Sequence, residues 1–374
     1  MRDREDDFRD GINYVPEQEF IPVVGGTDFV YAAVCCDHGH INGMCSGLAM
    51  AGAVLKWVYE PDPRKRRKLM DRNPQARVAK SLEQILEDPE VRLVACAAVP
   101  DKRWEIGIRV MKAGKDFFTD KPAFTTMEQL AAVKQAARDT GRKYMIYYSE
   151  HLHCEASIFA GELIRRNAIG KVLQVIGMGP HRLDALKRPD WFFQKEHNGG
   201  ILCDIGSQQI EDFMHYTGCH DARIEMAHAA NLGHPDYPEL EDFGEAVLTA
   251  DNGARLYLTV NWFTPAGLSA WGDGRTFILG TEGTIELRKY INVGEGGQPA
   301  NHVFLVNGEG EYHYQVTGQV GFPFFSRLIR DCLNRTENAM TQEHAFKAAE
   351  LAIAAERLSE RAGSTAGGMV TEQE

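Results

Sequence analysis

A chain of 374 residues has room for two domains of ordinary size, and 44% hydrophobic against 25% charged residues is a globular balance. The net charge of −12, with a pI near 5.6, argues against nucleic acid as a main partner, because phosphate binding needs a basic surface. No apolar run reaches the length of a membrane span, and the charged start "MRDREDDFRDGINYVPEQEF" has no signal core, so a soluble, cytoplasmic protein is expected.

In chain order, "FVYAAVCC" reads as a buried strand, "HINGMCSGLAMAGA" as the helix after it and "VLKWVYE" as a second strand. The basic run "RKRRKLMDR", Arg64 to Arg72, reads as the solvated face of a helix. "SLEQILEDPEV" is helical up to its proline, "RLVACAAVP" is a strand, "KRWEIGIRVMKAG" a helix and "KDFFTDKP" a strand ending at proline. "TMEQLAAVKQAARDTG" is a helix with a glycine stop, and "KYMIYYSE" closes the half as a strand. This alternation predicts a doubly wound parallel sheet.

After about residue 150 the pattern changes. A helix, "EASIFAGELIRRNAIG", leads to the strand "KVLQVIGMG". In "NGGILCDIGSQQIEDF" a Gly-Gly opens an apolar strand end, and Asp204 and Gln208, four residues apart, share a helix face. Strands follow: "ARIEMAHAA", "GEAVLTADNGARLYLTVNWF", "RTFILGTEGTIELRKY" and "HVFLVNGEGEYHYQV", with hairpins at Asp251-Asn252-Gly253 and Glu282-Gly283. The helices "FPFFSRLIRDCL" and "TQEHAFKAAELAIAAERLSERAG" end the chain. The fold class is therefore α/β plus α+β: an extension over residues 1–28, a doubly wound parallel-sheet domain over 29–150, and a mostly antiparallel open-sheet domain with C-terminal helices over 151–374. Eight cysteines without a CxxC pair read as reduced core thiols rather than a disulfide framework or zinc site.

After the first strand stands Asp37-His38-Gly39-His40-Ile41-Asn42-Gly43. A dinucleotide turn wants GxGxxG, so that backbone approaches a pyrophosphate at a helix N-terminus. Only the middle glycine, Gly39, is in place, and an ordinary strand–turn–helix competes with this reading. Glu60 ends the second strand about twenty residues on, where the ribose-binding acid belongs. A carboxylate there accepts from both ribose hydroxyls and repels a 2′-phosphate, so NAD is favoured over NADP. Ala98, Val99 and Pro100 end the third strand as a wall beside the cofactor. His38 and His40 have no carboxylate at ligand spacing, so no metal is expected.

"FFTDKPAF" and "GGILCDIGSQQ" together resemble the Glu-Lys-Pro and Gly-Gly-x-x-x-Asp-x-Gly-x-His motifs of the Gfo/Idh/MocA oxidoreductase family. Asp120 replaces the glutamate, and Gln208 occupies the place of the histidine. The resemblance covers roughly residues 28 to 365. It implies an N-terminal Rossmann-like domain binding NAD(P), a second domain pairing chains into dimers or tetramers, and hydride transfer between nicotinamide and a carbinol of a sugar or polyol. It also makes Lys121 and Asp204 the motif lysine and aspartate. The departures at Gln208, at the glycine turn and at "YYSEHLH" (Tyr148, Glu150, His151, His153) mark a divergent branch.

Oxidising a secondary alcohol needs a hydride acceptor and a base. Lys121, extended before Pro122 at a strand's carboxyl end, is the expected base; a positive nicotinamide ring and partial burial disfavour its ammonium form, and Asp204 opposes them. Gln208 does not titrate. Three readings follow: Lys121 is the sole base and Gln208 orients the hydroxyl; the chain is an engineered variant of a histidine enzyme; or the protein is a silent, NAD-binding sugar sensor. A further alternative is an NAD-dependent enzyme that cleaves glycosides through transient oxidation. Tyr148, His181, Arg182, Trp191 and Trp262 are candidate substrate contacts beside Lys121, Asp204 and Gln208, with Phe192, Trp271, Asp273 and Arg275 on the same loops. Core or interface packing is the competing reading for the aromatics.

Overall fold

Residues 22–25, 27–296 and 300–366 are described by the structure, a computed structural model, with side chains to residue 360. Most of the expected extension over residues 1–28 lies outside them. The described chain divides into two units: Cys154–Val320 with the chain from Lys347 onward, and Pro16–His153 with Gly321–Phe346.

The unit holding residues 27–153 carries the strands β1 (Val30–Cys36), β2 (Val54–Tyr59), β3 (Arg77–Val78), β4 (Val91–Ala97), β5 (Asp116–Asp120) and β6 (Tyr144–Tyr147). They form one sheet, in the order β3-β2-β1-β4-β5-β6, with every pair parallel. The connecting helices are α1 (His40–Met50), α2 (Pro63–Arg72), α3 (Leu82–Glu87), α4 (Arg103–Lys112) and α5 (Met127–Thr140). From β1 the order runs one way and from β4 the other, which opens a crevice at the carboxyl ends of these strands. Helix α2 starts at Pro63 with the Asp62 side chain accepting from the Arg64 N–H, and buries only Leu69; its basic residues are exposed as expected, except the half-buried Arg66, which donates to the Glu60 carbonyl.

Gly321–Phe346 falls in this unit, although the sequence pattern grouped it with residues 151–374. It contains α8 (Pro323–Asn334), whose Phe325 ring occupies the space beside Gly47 of α1: a Cβ at Gly47 would lie 2.3 Å from it. The Arg335 guanidinium donates to Asp116 at 2.6 Å, and the Tyr144 N–H to Gln342 at 2.8 Å. Ring packing and charge pairing, absent from any local pattern, set this boundary.

The other unit begins with α6 (Glu155–Arg165), β7 (Val172–Pro180) and α7 (Ser207–Thr217). Its remaining strands are β8 (Ala222–Ala230), β9 (Phe243–Ala250), β10 (Arg255–Asn261), β11 (Arg275–Gly280), β12 (Gly283–Arg288), β13 (His302–Asn307) and β14 (Gly310–Gln315). They form an eight-stranded sheet ordered β14-β13-β12-β11-β7-β10-β9-β8, antiparallel except for β7 with β10. The closing helix is α9 (Gln342–Ala366), and this unit holds it from Lys347 onward.

The apolar Ile201–Cys203 stretch, expected as a strand end, is helical and runs through a π-turn at Leu202–Gly206 into α7. The cause is tertiary. Gly199 and Gly200 take positive φ (86° and 88°), and carboxylates from distant sequence accept the first helical donors: Glu241 from the Ile201 N–H and Glu356 from the Leu202 N–H. Lys195 bridges them, 2.5 Å from Glu241 and 2.8 Å from Glu356. Burial and the Glu241 charge push the Glu356 carboxyl up to about 8.

Candidate active site

The turn Asp37–His40 leaves β1 and enters α1. Gly39 has φ −62° and ψ −18°, a conformation any residue adopts, so its backbone does not require glycine. A Cβ there meets nothing within 4 Å, so what glycine supplies is an open approach to the backbone. This fits a pyrophosphate resting on the helix start. Glu60 is 5% exposed and ties the end of β1 to the start of α2, accepting from the Cys36 N–H at 2.8 Å and the Asp62 N–H at 2.9 Å. Its carboxylate is thereby fixed at the β2 terminus, where a ribose would be read. Asp37, which by itself would repel a phosphate, is paired with Lys65 at 2.5 Å. Ile41 and Ala98 are buried, as is Pro100, while Val99 is half-buried.

Behind the turn lies Asp120, with 0% exposure. His38 Nδ1 lies 2.8 Å from one of its carboxylate oxygens and His40 Nδ1 2.8 Å from the other. The Lys121 N–H donates to the same carboxylate at 2.8 Å. Arg103, 1% exposed, donates to the carbonyls of Ala98 (2.7 Å), Asp120 (3.0 Å) and Pro122 (2.8 Å), and reaches the Asp120 carboxylate at 3.5 Å. Burial opposes ionisation of Asp120, but the charges of His40, His38 and Arg103 outweigh it and hold the carboxyl well below its usual range. Burial and His40 push His38 down to about 4. Lys121 itself is 4% exposed at the end of β5, joined to Pro122 by a cis peptide. The sequence showed no carboxylate at ligand spacing from His38 and His40; the fold brings Asp120 to them from eighty residues away.

In the other unit, Asp204 is half-buried in the π-turn, a distortion frequent at functional sites, and its N–H donates to the Gly200 carbonyl at 3.0 Å. Gln208 and Gln209 are each 1% exposed. Gln209 faces β7, filling space over Gly177 and Gly179. Arg188 stacks over Phe192 (4.5 Å) and Trp262 (5.1 Å) and feels the Asp204 charge, which opposes the lowering of its pKa by burial. His181 packs edge-on against Trp262 (5.4 Å) and Trp271 (4.4 Å). A guanidinium on aromatic faces, beside a carboxylate, combines stacking area with hydroxyl-directed hydrogen bonding.

Several expected contacts have other duties. Arg182 donates to the carbonyls of Pro265, Leu268 and Ala270 and so pins that loop. Tyr148 is 1% exposed and donates to the Ala345 carbonyl at 2.9 Å. Asp273 and Arg275 pair with each other. Glu150 and His151 are buried, and His153 Nδ1 meets the Tyr147 hydroxyl at 2.6 Å. The Trp191 Nε1 is buried without a hydrogen-bond partner among the described residues. Sequence reasoning missed Arg103 and Arg188, and read Lys65 only as part of the solvated basic run. The one signal for Arg103 is a cation in the first turn of a helix, where acids are favoured.

Residues 40–148 match the family described as "Oxidoreductase family, NAD-binding Rossmann fold", and residues 159–286 match "GFO/IDH/MocA C-terminal domain". The crystal structure of a protein assigned as an oxidoreductase, from Erwinia carotovora atroseptica, is 48% identical, with a TM-score of 0.85 over 89% of this chain and 99% of that one. An uncharacterized oxidoreductase of Synechocystis sp. is 26% identical over 63% of this chain, and the D-xylose dehydrogenase of Paenarthrobacter nicotinovorans 24% identical over 37%. The matched stretches span 66% and 37% of those two relatives' own lengths. With both domains matched in order and a near full-length structural relative, the chain belongs to the Gfo/Idh/MocA family of NAD-binding oxidoreductases.

Proposed function

We propose that this protein is an NAD-dependent oxidoreductase moving a hydride between the nicotinamide and a secondary hydroxyl of a sugar or glycoside. The observation that carries the reading is Lys121: a buried amine-bearing residue in the motif position, at the carboxyl end of β5, in the same unit as an open Gly39 turn and the backbone-anchored Glu60. Bound NAD supplies the hydride acceptor. The chain's residues do the rest. Glu60 accepts from the adenosine ribose hydroxyls and disfavours a 2′-phosphate, so NAD is used over NADP. Lys121 takes the hydroxyl proton. Asp204 and Gln208 orient the substrate, Gln208 through hydrogen bonds alone. Arg188, Phe192 and Trp262 offer a stacking face and a cation to a sugar ring, consistent with a D-xylose dehydrogenase among the relatives.

Phe277, Leu279 and Val306 are 39%, 43% and 46% exposed on one face of the second sheet, and pairing of two copies through that face is part of this reading.

The test is a panel of sugars and glycosides with NAD and NADP, followed by nicotinamide absorbance, in the unsubstituted chain, in Lys121→Met and in Gln208→His. Reduction by the unsubstituted chain, lowered about 10²–10⁴-fold in Lys121→Met with sugar binding retained, is the expected result. Reduction only in Gln208→His would make this a disabled enzyme. Sugar binding without reduction in any chain would replace the reading with a sensor or with a closed redox cycle, which loss of a substrate deuterium label separates.

A further inference from the structure

We propose that His38, His40 and Asp120 form a binding site for one divalent transition ion of the zinc class. The three donors lie within 4.8 Å of one another, with each imidazole 2.8 Å from the carboxylate, so small side-chain movements would bring all three onto one ion at bond lengths of about 2 Å. Both imidazoles approach through Nδ1, each on its own oxygen of a single carboxylate. A hydrogen-bonded dyad accounts for one of them. It does not account for His38, whose Nδ1 is buried and, despite the short contact, has no hydrogen bond to satisfy it. Two imidazoles and a carboxylate are a donor set for zinc and its neighbours.

The surroundings suit an ion that keeps open positions. Asp120 has 0% exposure and is held from behind by Arg103 and the Lys121 N–H, the kind of second layer that fixes a ligand's orientation. The carboxylate has four lone-pair directions, so these donors leave room for an ion. The imidazole side chains are 24% and 32% exposed, which leaves an ion accessible to water or to an oxygen ligand. Three protein ligands with an accessible remainder is the pattern of ions that act on a ligand. The site occupies the turn that would receive a pyrophosphate, so a phosphate or substrate oxygen is the class of ligand it would meet. Neither metal uptake nor its ligands follow from the nicotinamide reading, and either can fail without the other.

The experiment titrates metal-free full-length protein with Co²⁺ and reads the visible absorption of the bound ion, with Zn²⁺ content after desalting as a second measure. One ion per chain is expected, with affinity at least about 10-fold weaker in His38→Gln and in His40→Gln, the loss expected for a metal-site partner. His302→Gln serves as the comparison, because Glu295, His302 and His313 form another converging cluster. X-ray absorption of the cobalt-loaded natural chain, which needs no variant to fold, is expected to show two imidazoles in the coordination shell. No ion retained, uptake surviving both His38→Gln and His40→Gln, uptake removed by His302→Gln, or a shell of oxygens alone would each overturn the proposal.

Discussion

The two sheets differ in what covers them. In the parallel sheet, β1, β4, β5 and β6 are buried along nearly their whole length. In the second sheet, β9 to β12 alternate buried and accessible residues. Crossover helices close a parallel sheet on both faces, whereas antiparallel hairpins leave one face uncovered. The consequence is where chemistry sits. A sheet closed on both faces presents polar groups at its strand ends, and Glu60, Asp120 and Lys121 all stand there. The second sheet keeps a face for other contacts, and its functional candidates come from the loop and helix around Asp204.

The largest expected effect tests closure of the first sheet. Phe118, with 0% exposure, packs at 5.8 Å against both Tyr147 and Phe324. Phe118→Ala should cost about 3–5 kcal/mol in urea unfolding, and a loss below about 1 kcal/mol would mean that face is not filled. Next is acid sensitivity in the same unit. Burial, with the charge of His40, pushes His153 down to about 4. Its unfolded value is about 6.5, so on acidification the unfolded chain takes the proton first. Stability is then complete above about pH 6.5 and falls by about 2–3 kcal/mol as the pH drops toward 4. His153→Asn should flatten this limb of the urea-midpoint profile; an unchanged limb would place the sensitivity elsewhere.

Two smaller effects probe the second unit. Gly200 has φ +88°, and a Cβ there would lie 2.3 Å from the Glu356 carboxyl carbon. Gly218 has φ +65° with nothing within 4 Å. Gly200→Ala should therefore cost about 2–3 kcal/mol and Gly218→Ala about 1 kcal/mol, measured by the same unfolding. Equal costs would remove the steric argument. The smallest effect belongs to the uncovered face: Phe277→Ser should change the stability of a monomer by less than about 0.5 kcal/mol. A larger loss that depends on protein concentration would show that a second copy covers it.

Much of the fold was legible because its signals are local. Apolar runs bounded by turns gave the β–α alternation, and Asp251-Asn252-Gly253 gave a hairpin. Ile201–Cys203 misled because three apolar residues carry no period; what makes them helical is the pair Glu241 and Glu356, far away in sequence. In the candidate site, Glu60 and Lys121 stood where spacing put them. Arg188 did not stand out, because a cation in a loop acquires meaning only from the Phe192 and Trp262 faces beneath it. Arg182, its neighbour on the same loop, drew attention for the same residue type and is spent on backbone carbonyls.

The sequence by itself determined the order of elements, the acid at the end of β2 and the lysine before proline at the end of β5, because periodicity, turn chemistry and motif spacing act over a few residues. Only the tertiary structure decided that β7 pairs in parallel with β10, that Gly321–Phe346 joins the nucleotide unit, and that Asp120 meets both His38 and His40. Those outcomes depend on burial and on charges brought together across tens of residues, and no local pattern encodes which distant partner a buried group will find.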